Sequence, residues 1–196
     1  MLNESERVSG SIGKKLSSEA RRTLEGQGFL IYKLHNRTIG EMAKEIPLRP
    51  MFQTTEDFFK LASSETEAAI DPNQIYLPGS CNQDFDTQIK RLSDLRIGLR
   101  NRLGRSDLPI SLTVGTLPDY IELVLEHQKK TGEFLFKPWV NTTTAQGEFI
   151  YIVGAFVPEM GLFISRNLEG GRFSAVCLAP FIVPYIPLGV ANLSRN

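Results

Sequence analysis

The sequence predicts a single α+β domain in which amphipathic helices pack on a mostly antiparallel C-terminal sheet, and three observations predict it. Residues 80–104 carry Phe85, Ile89, Leu92, Leu95, Leu99 and Leu103 at intervals of three or four, the stripe of one helix face. Residues 116–132 repeat the pattern with Leu117, Ile121, Val124, Leu125 and Gln128, opened by Thr116 and Pro118 and closed by Lys129, Lys130 and Gly132. From Phe134 onward helix signals vanish, and strand-like stretches separated by Gly- and Pro-containing turns predict an antiparallel meander.

Residues 1–13 are charged, rich in Ser and Gly and aperiodic, which predicts a disordered leader ahead of a domain over 14–196. Residues 14–27 hold Ala20, Leu24 and good helix formers and predict a short surface helix ended near Gly26 or Gly28. A strand over 29–34 follows. Thr38, with Glu41 three residues on, predicts a capped helix closed by Pro47 and Pro50, and the segment 47–50 is expected to be a rigid connector. Thr54 or Thr55 caps a further short helix with Phe58, Phe59 and Leu61. Residues 67–70 and 75–77 are two expected strands around the turn Asp71-Pro72-Asn73. In the long helix of 80–104, Ser80 and Gln83 offer a capping box, and Arg100 and Arg102 complement the dipole before Gly104. Residues 110–114 alternate like a strand. Phe149–Val157 is apolar on both faces and belongs in the middle of the sheet, covered by a helix.

A chain of 196 residues can bury a continuous core without metal or disulfides. Twenty-two basic residues balance 22 acidic ones. That balance removes the bulk attraction of a nucleic-acid binder, and no nucleic-acid partner is expected. The two cysteines, Cys81 and Cys177, have neither metal-ligand spacing nor the density of a secreted disulfide scaffold. The N-terminal residues lack the apolar run of a signal peptide, so a reducing cytoplasm is the expected compartment. Residues 173–194 are uncharged over a length near the ~20 residues of a membrane span. Pro180, Pro184 and Pro187 would break such a helix, so no membrane contact is expected. A final strand, then an extended apolar segment packed over the core edge, is the expectation there. Left uncovered, Phe181, Ile182, Tyr185 and Ile186 make an apolar surface for a homo-oligomer or a protein partner.

Chemistry-bearing candidates are few. A thiol at a helix entry lies near unpaired amides and a positive dipole, so Cys81 is the candidate nucleophile, with His35 or His127 as base. Gly79, Ser80 and Asn82 in the same turn, with Trp139 and Arg172, are candidate ligand contacts for a small anion. The turn lacks the Lys and second Gly of a phosphate loop, and the polar run 141–146 beside Trp139 is expected to be a loop. Glu122, Glu126 and His127 share a helix without a zinc motif, so no metal is expected, and no cofactor fingerprint is present. Arg91, Arg96, Arg100, Arg102 and Arg105 are expected to form a solvated basic face.

Three functions fit these observations. The first is a cytoplasmic binding or interaction domain without an evident catalytic set. The second is a hydrolase or transferase built on Cys81. The third is a small anionic-ligand binder.

Overall fold

A computed structural model describes residues 10–136, 141–146, 149–157, 161–168 and 176–187. In chain order the elements are β1 (Gly10–Ile12), α1 (Ser18–Gly26), β2 (Leu30–His35), α2 (Ile39–Met42), β3 (Leu48–Pro50), α3 (Glu56–Lys60), β4 (Glu65–Ile70), α4 (Phe85–Lys90) and α5 (Leu92–Leu103). They continue with β5 (Ile110–Thr113), α6 (Leu117–Thr131), β6 (Asn141–Gln146), β7 (Phe149–Val157), β8 (Gly161–Leu168), β9 (Val176–Cys177) and β10 (Phe181–Pro187). The class is α+β. One sheet runs β1-β10-β4-β2 with β5 also on β10, and the other runs β3-β8-β7-β6-β9.

Helix α6 lies between the sheets. Asp119 accepts the Thr116 backbone N–H at 2.7 Å and its hydroxyl at 2.9 Å, and Gly132 at φ 75° ends the helix. Every residue from Leu117 to Leu125 is buried, which is how a helix flanked on more than one side behaves. The Tyr120 ring meets Phe181 edge-on at 5.7 Å, and its hydroxyl donates to the Ala179 carbonyl at 2.7 Å. Tyr151, Val153, Leu162 and Ile164 of the C-terminal sheet share this core with Tyr32, Leu34, Ala68 and Ile70 of the other. Strand β7 sits between β6 and β8, as its two-sided apolar pattern requires.

The first sheet is covered on its other face as well. Ala68 and Ile70 belong to the α6 core, whereas Ala69 joins Leu16, Ala20, Leu24, Leu92 and Leu103 under α1 and α5. Phe181 and Val183 likewise alternate with Ile182, the period of two that a strand imposes. The region 80–104 therefore packs on the N-terminal sheet, and α6 is the helix that covers the C-terminal one.

Several expectations change. Residues 80–104 form two helices, broken at Arg91, with Asp84 rather than Ser80 as the first cap (Thr87 N–H to Asp84 Oδ1, 2.8 Å). Gln88, fully buried, ties α4 to the Ser80 and Val176 carbonyls at 2.8 and 3.3 Å, and the Arg91 guanidinium folds back onto the Gly79 carbonyl. Residues 10–13, expected in the leader, are part of the sheet: β1 pairs with β10, and Gly13 donates to the Pro184 carbonyl at 2.9 Å. Leu48–Pro50 is an edge strand parallel to β8 rather than a connector, and residues 75–77 are irregular. Gly161 at φ 84° makes that edge possible. A Cβ there would collide with the Pro47 carbonyl, which accepts Leu162 N–H at 2.7 Å.

The largest correction concerns the tail. Strand β10 is central: Phe181 to Pro184 pair with β5, Ile182 with β4, and Tyr185 to Pro187 with β1. Phe181 and Ile182 are buried in their own chain, so they offer no surface to a partner; Tyr185 is half-buried and Ile186 exposed. Proline in a central strand needs a place where no ladder donor is missed. Tyr185 N–H points to β5 (Pro109 O, 2.9 Å), so Pro184 faces the other way, where the sheet passes from β4 to β1. Only its carbonyl is needed there. No helix among the described residues is long and apolar enough to cross a membrane.

Candidate functional site

The middle of α5 spans a gap. Leu92 and Leu103 are buried at its two ends, whereas Leu95 and Leu99 are only half-buried and Gly98 presents no side chain. Beneath them a cavity of about 270 Å³ opens on the first sheet, floored by Ala69, Leu112 and Ile182. Tyr76, Leu77 and Pro78 form one wall. A Cβ built on Gly98 meets nothing within 4 Å. The helix is thus pinned at both ends over a space its own apolar face does not fill.

Polar groups stand at the rim. Arg102 pairs with Asp71 at 2.5 Å and lies 5.0 Å from the Phe29 ring centre, while its Nε is engaged by no described residue. Gln74 lines the same opening. The Asp71 turn forms as expected, with Asn73 N–H on Asp71 Oδ1 at 2.9 Å, and that turn places Asp71 opposite Arg102.

The wall leads directly to the cysteines. Cys81 and Cys177 are joined in a disulfide, a link absent from the sequence expectation. A bonded sulfur carries no thiolate, so the nucleophile placed at Cys81 is corrected. The helix-entry argument fails too, because α4 begins at Phe85 behind its own Asp84 cap. Ser80, fully buried, donates to the Leu77 carbonyl at 2.7 Å and accepts Leu178 N–H at 2.9 Å, and Gly79 gives its carbonyl to Arg91. Asn82 is exposed at φ 60°. The turn is a structural clasp. Trp139 and Arg172 lie outside the described residues. The run 141–146 is strand β6, not a loop, with Thr142 and Thr144 buried and bonded to Ala179 N–H (3.0 Å) and the Gly115 carbonyl.

Neither imidazole is brought to Cys81. His127 is buried, and its Nδ1 shares a 2.6 Å hydrogen bond with the Tyr32 hydroxyl. Burial pushes the Tyr32 phenol up to about 12 and lowers His127 from its ordinary value, so the ring is held neutral. A histidine whose folded pKa is depressed costs stability once the unfolded chain takes up a proton. Stability should therefore fall as pH drops below about 6.5, by at most about 1.4 kcal/mol per pH unit, down to the folded pKa. Urea unfolding of the protein and of His127→Gln between neutral and mildly acidic pH checks this: the variant should lose that part of the slope.

His35 is held elsewhere, by Glu122, a residue that sequence reasoning weighed only as a metal ligand. Glu122 is fully buried and accepts the His35 backbone N–H at 3.1 and 3.2 Å, His35 Nδ1–H at 3.1 Å, and the Ser63 hydroxyl. Four donor contacts on one carboxylate lock β2, the segment before β4 and α6 together. Among the described residues no group of three or more His, Cys, Asp or Glu side chains could hold a metal ion. Comparison with protein-family models, curated proteins and solved structures gives no match.

The cavity residues Asp71, Gly98 and Arg102 were not singled out as a site. The signal available was Gly98 in the middle of an otherwise regular helix, where glycine is unfavourable by about 1 kcal/mol relative to alanine and so calls for a reason.

Proposed function

We propose that the chain is a binding protein whose ligand occupies the cavity under α5. The observation that carries the reading is that gap: apolar walls, an opening beside Gly98, and polar groups confined to the rim. The Asp71–Arg102 pair leaves the rim without net charge, while Gln74 and Arg102 Nε offer hydrogen bonds. The matching ligand is a small, mainly apolar molecule with one uncharged hydrogen-bonding end.

The test titrates medium-chain alcohols, primary amides and indole, following the Leu112 and Ile182 methyl signals by NMR. Saturable shifts are expected. Gly98→Leu should abolish them, since its side chain enters the opening while gaining up to about 1 kcal/mol of helix propensity, so loss of binding cannot be loss of fold. Shifts that persist unchanged in Gly98→Leu, or no shift with any probe, reject the reading.

A cytoplasmic location belongs to the same proposal, with a condition attached. The cytoplasm keeps thiols reduced unless a disulfide is redox-active, so Cys81 and Cys177 would cycle there. Alkylation of the two residues in quenched cell extracts, before and after reduction, decides it. A pair that stays fully oxidised places the protein in an oxidising compartment instead.

A further inference from the structure

On the other flank of α5 a second, smaller cleft lies against β5. Its lining is Arg96, Leu99, Arg100, Ile110, Ser111, Leu112 and Tyr185, with a volume of about 40 Å³. Four of these residues carry hydrogen-bond donors, and none is acidic. Arg96 is fixed by two bonds to the Leu112 carbonyl, Nε at 3.2 Å and Nη2 at 3.0 Å, and no described residue engages the third nitrogen of its fork. Arg100 lies one helical turn further on, on the same side.

The contrast with the neighbouring arginines is what points to a ligand. Arg102 pairs with Asp71, and Arg105 pairs with Glu19 and Asp107 at 2.6 and 2.7 Å. Arg96 and Arg100 pair with no carboxylate among the described residues, although two like charges at this spacing repel. Ser111 and Tyr185 border the cleft from β5 and β10, Ser111 opposite Val183 and Tyr185 with its N–H on Pro109 O at 2.9 Å. Positive charge that no described carboxylate balances and apolar walls thus meet at one small space. A water needs roughly 10–15 Å³ by this kind of measure, so the cleft holds about three, the room of one tetrahedral oxyanion.

We infer that this cleft binds the phosphate group of a phosphate monoester, with Arg96 and Arg100 as its charge partners. Two guanidiniums suit a dianion, and their planar forks suit its oxygens. The inference is independent of the cavity reading, which concerns the opposite flank of the helix.

Inorganic phosphate and glycerol 3-phosphate are titrated at low ionic strength by isothermal calorimetry. Vesicles of phosphatidylcholine with and without phosphatidic acid form a parallel arm. Saturable binding is expected, weakened about tenfold or more in Arg100→Gln, as loss of a charge-assisted contact requires. Arg105→Gln, which loses a guanidinium already paired, should bind as the parent does. Arg100 is exposed and bonds to no described residue, so its variant keeps the fold. Saturation by the soluble phosphates identifies a small-molecule source; retention only on phosphatidic acid vesicles, lost in Arg100→Gln, identifies a lipid headgroup. Binding absent in both arms, or weakened equally by Arg105→Gln, overturns the site.

Discussion

Removing the Cys81–Cys177 bond is expected to lower stability by as much as about 4.7 kcal/mol, the chain-entropy value for a loop of this length. The two residues are 96 positions apart, so the bond closes half the chain in the unfolded state. Urea unfolding with and without a phosphine reductant measures the loss. A Cys81→Ser, Cys177→Ala double variant should match the reduced protein and ignore the reductant. Identical midpoints in all samples would show that the link contributes nothing. The bond also ties the segment before α4 to β9 next to the Leu77 wall of the cavity. Reduction should therefore broaden signals from α4 and α5 before those from α6, because the latter is held by the shared core.

The second large effect is expected at Tyr120. Tyr120→Ala should cost about 4 kcal/mol, in the range for emptying a fully buried aromatic site. Tyr120→Phe separates the components: it keeps the ring against Phe181 and deletes only the hydroxyl donated to Ala179, and should cost about 1 kcal/mol. The unpaired Ala179 carbonyl adds to that figure if no water reaches it. Burial raises the Tyr120 phenol well above its ordinary range, so neither value should change between neutral and mildly alkaline pH. Calorimetric unfolding of the three proteins checks both, and a larger loss from Phe than from Ala would contradict the packing described.

Local signals carried the local structure. Thr38 and Glu41 form their capping box, Thr55 caps α3, and Thr116 with Asp119 and Gly132 bounds α6. These features depend on residues within a few positions of one another, where spacing alone states the geometry. The strand over 149–157 was equally legible, because a run apolar on both faces has few places to go. The candidate site was not legible. Its floor comes from β4, β5 and β10, its rim from Asp71 and Arg102, and its existence from a helix that fails to fill the space beneath it. Spacing cannot report a volume left empty.

The sequence by itself determined the α+β class, most helix and strand positions, and the balance of charge that argues against bulk attraction to nucleic acid. Only the tertiary structure decided that the uncharged, proline-bearing tail is a central strand, that Cys81 meets Cys177, and that α6 rather than residues 80–104 is the innermost helix. The reason is common to all three. Each depends on which distant segments become neighbours, and that choice is made by the joint burial of Phe181, Tyr120 and Tyr151 in one core rather than by any pattern a single stretch can display.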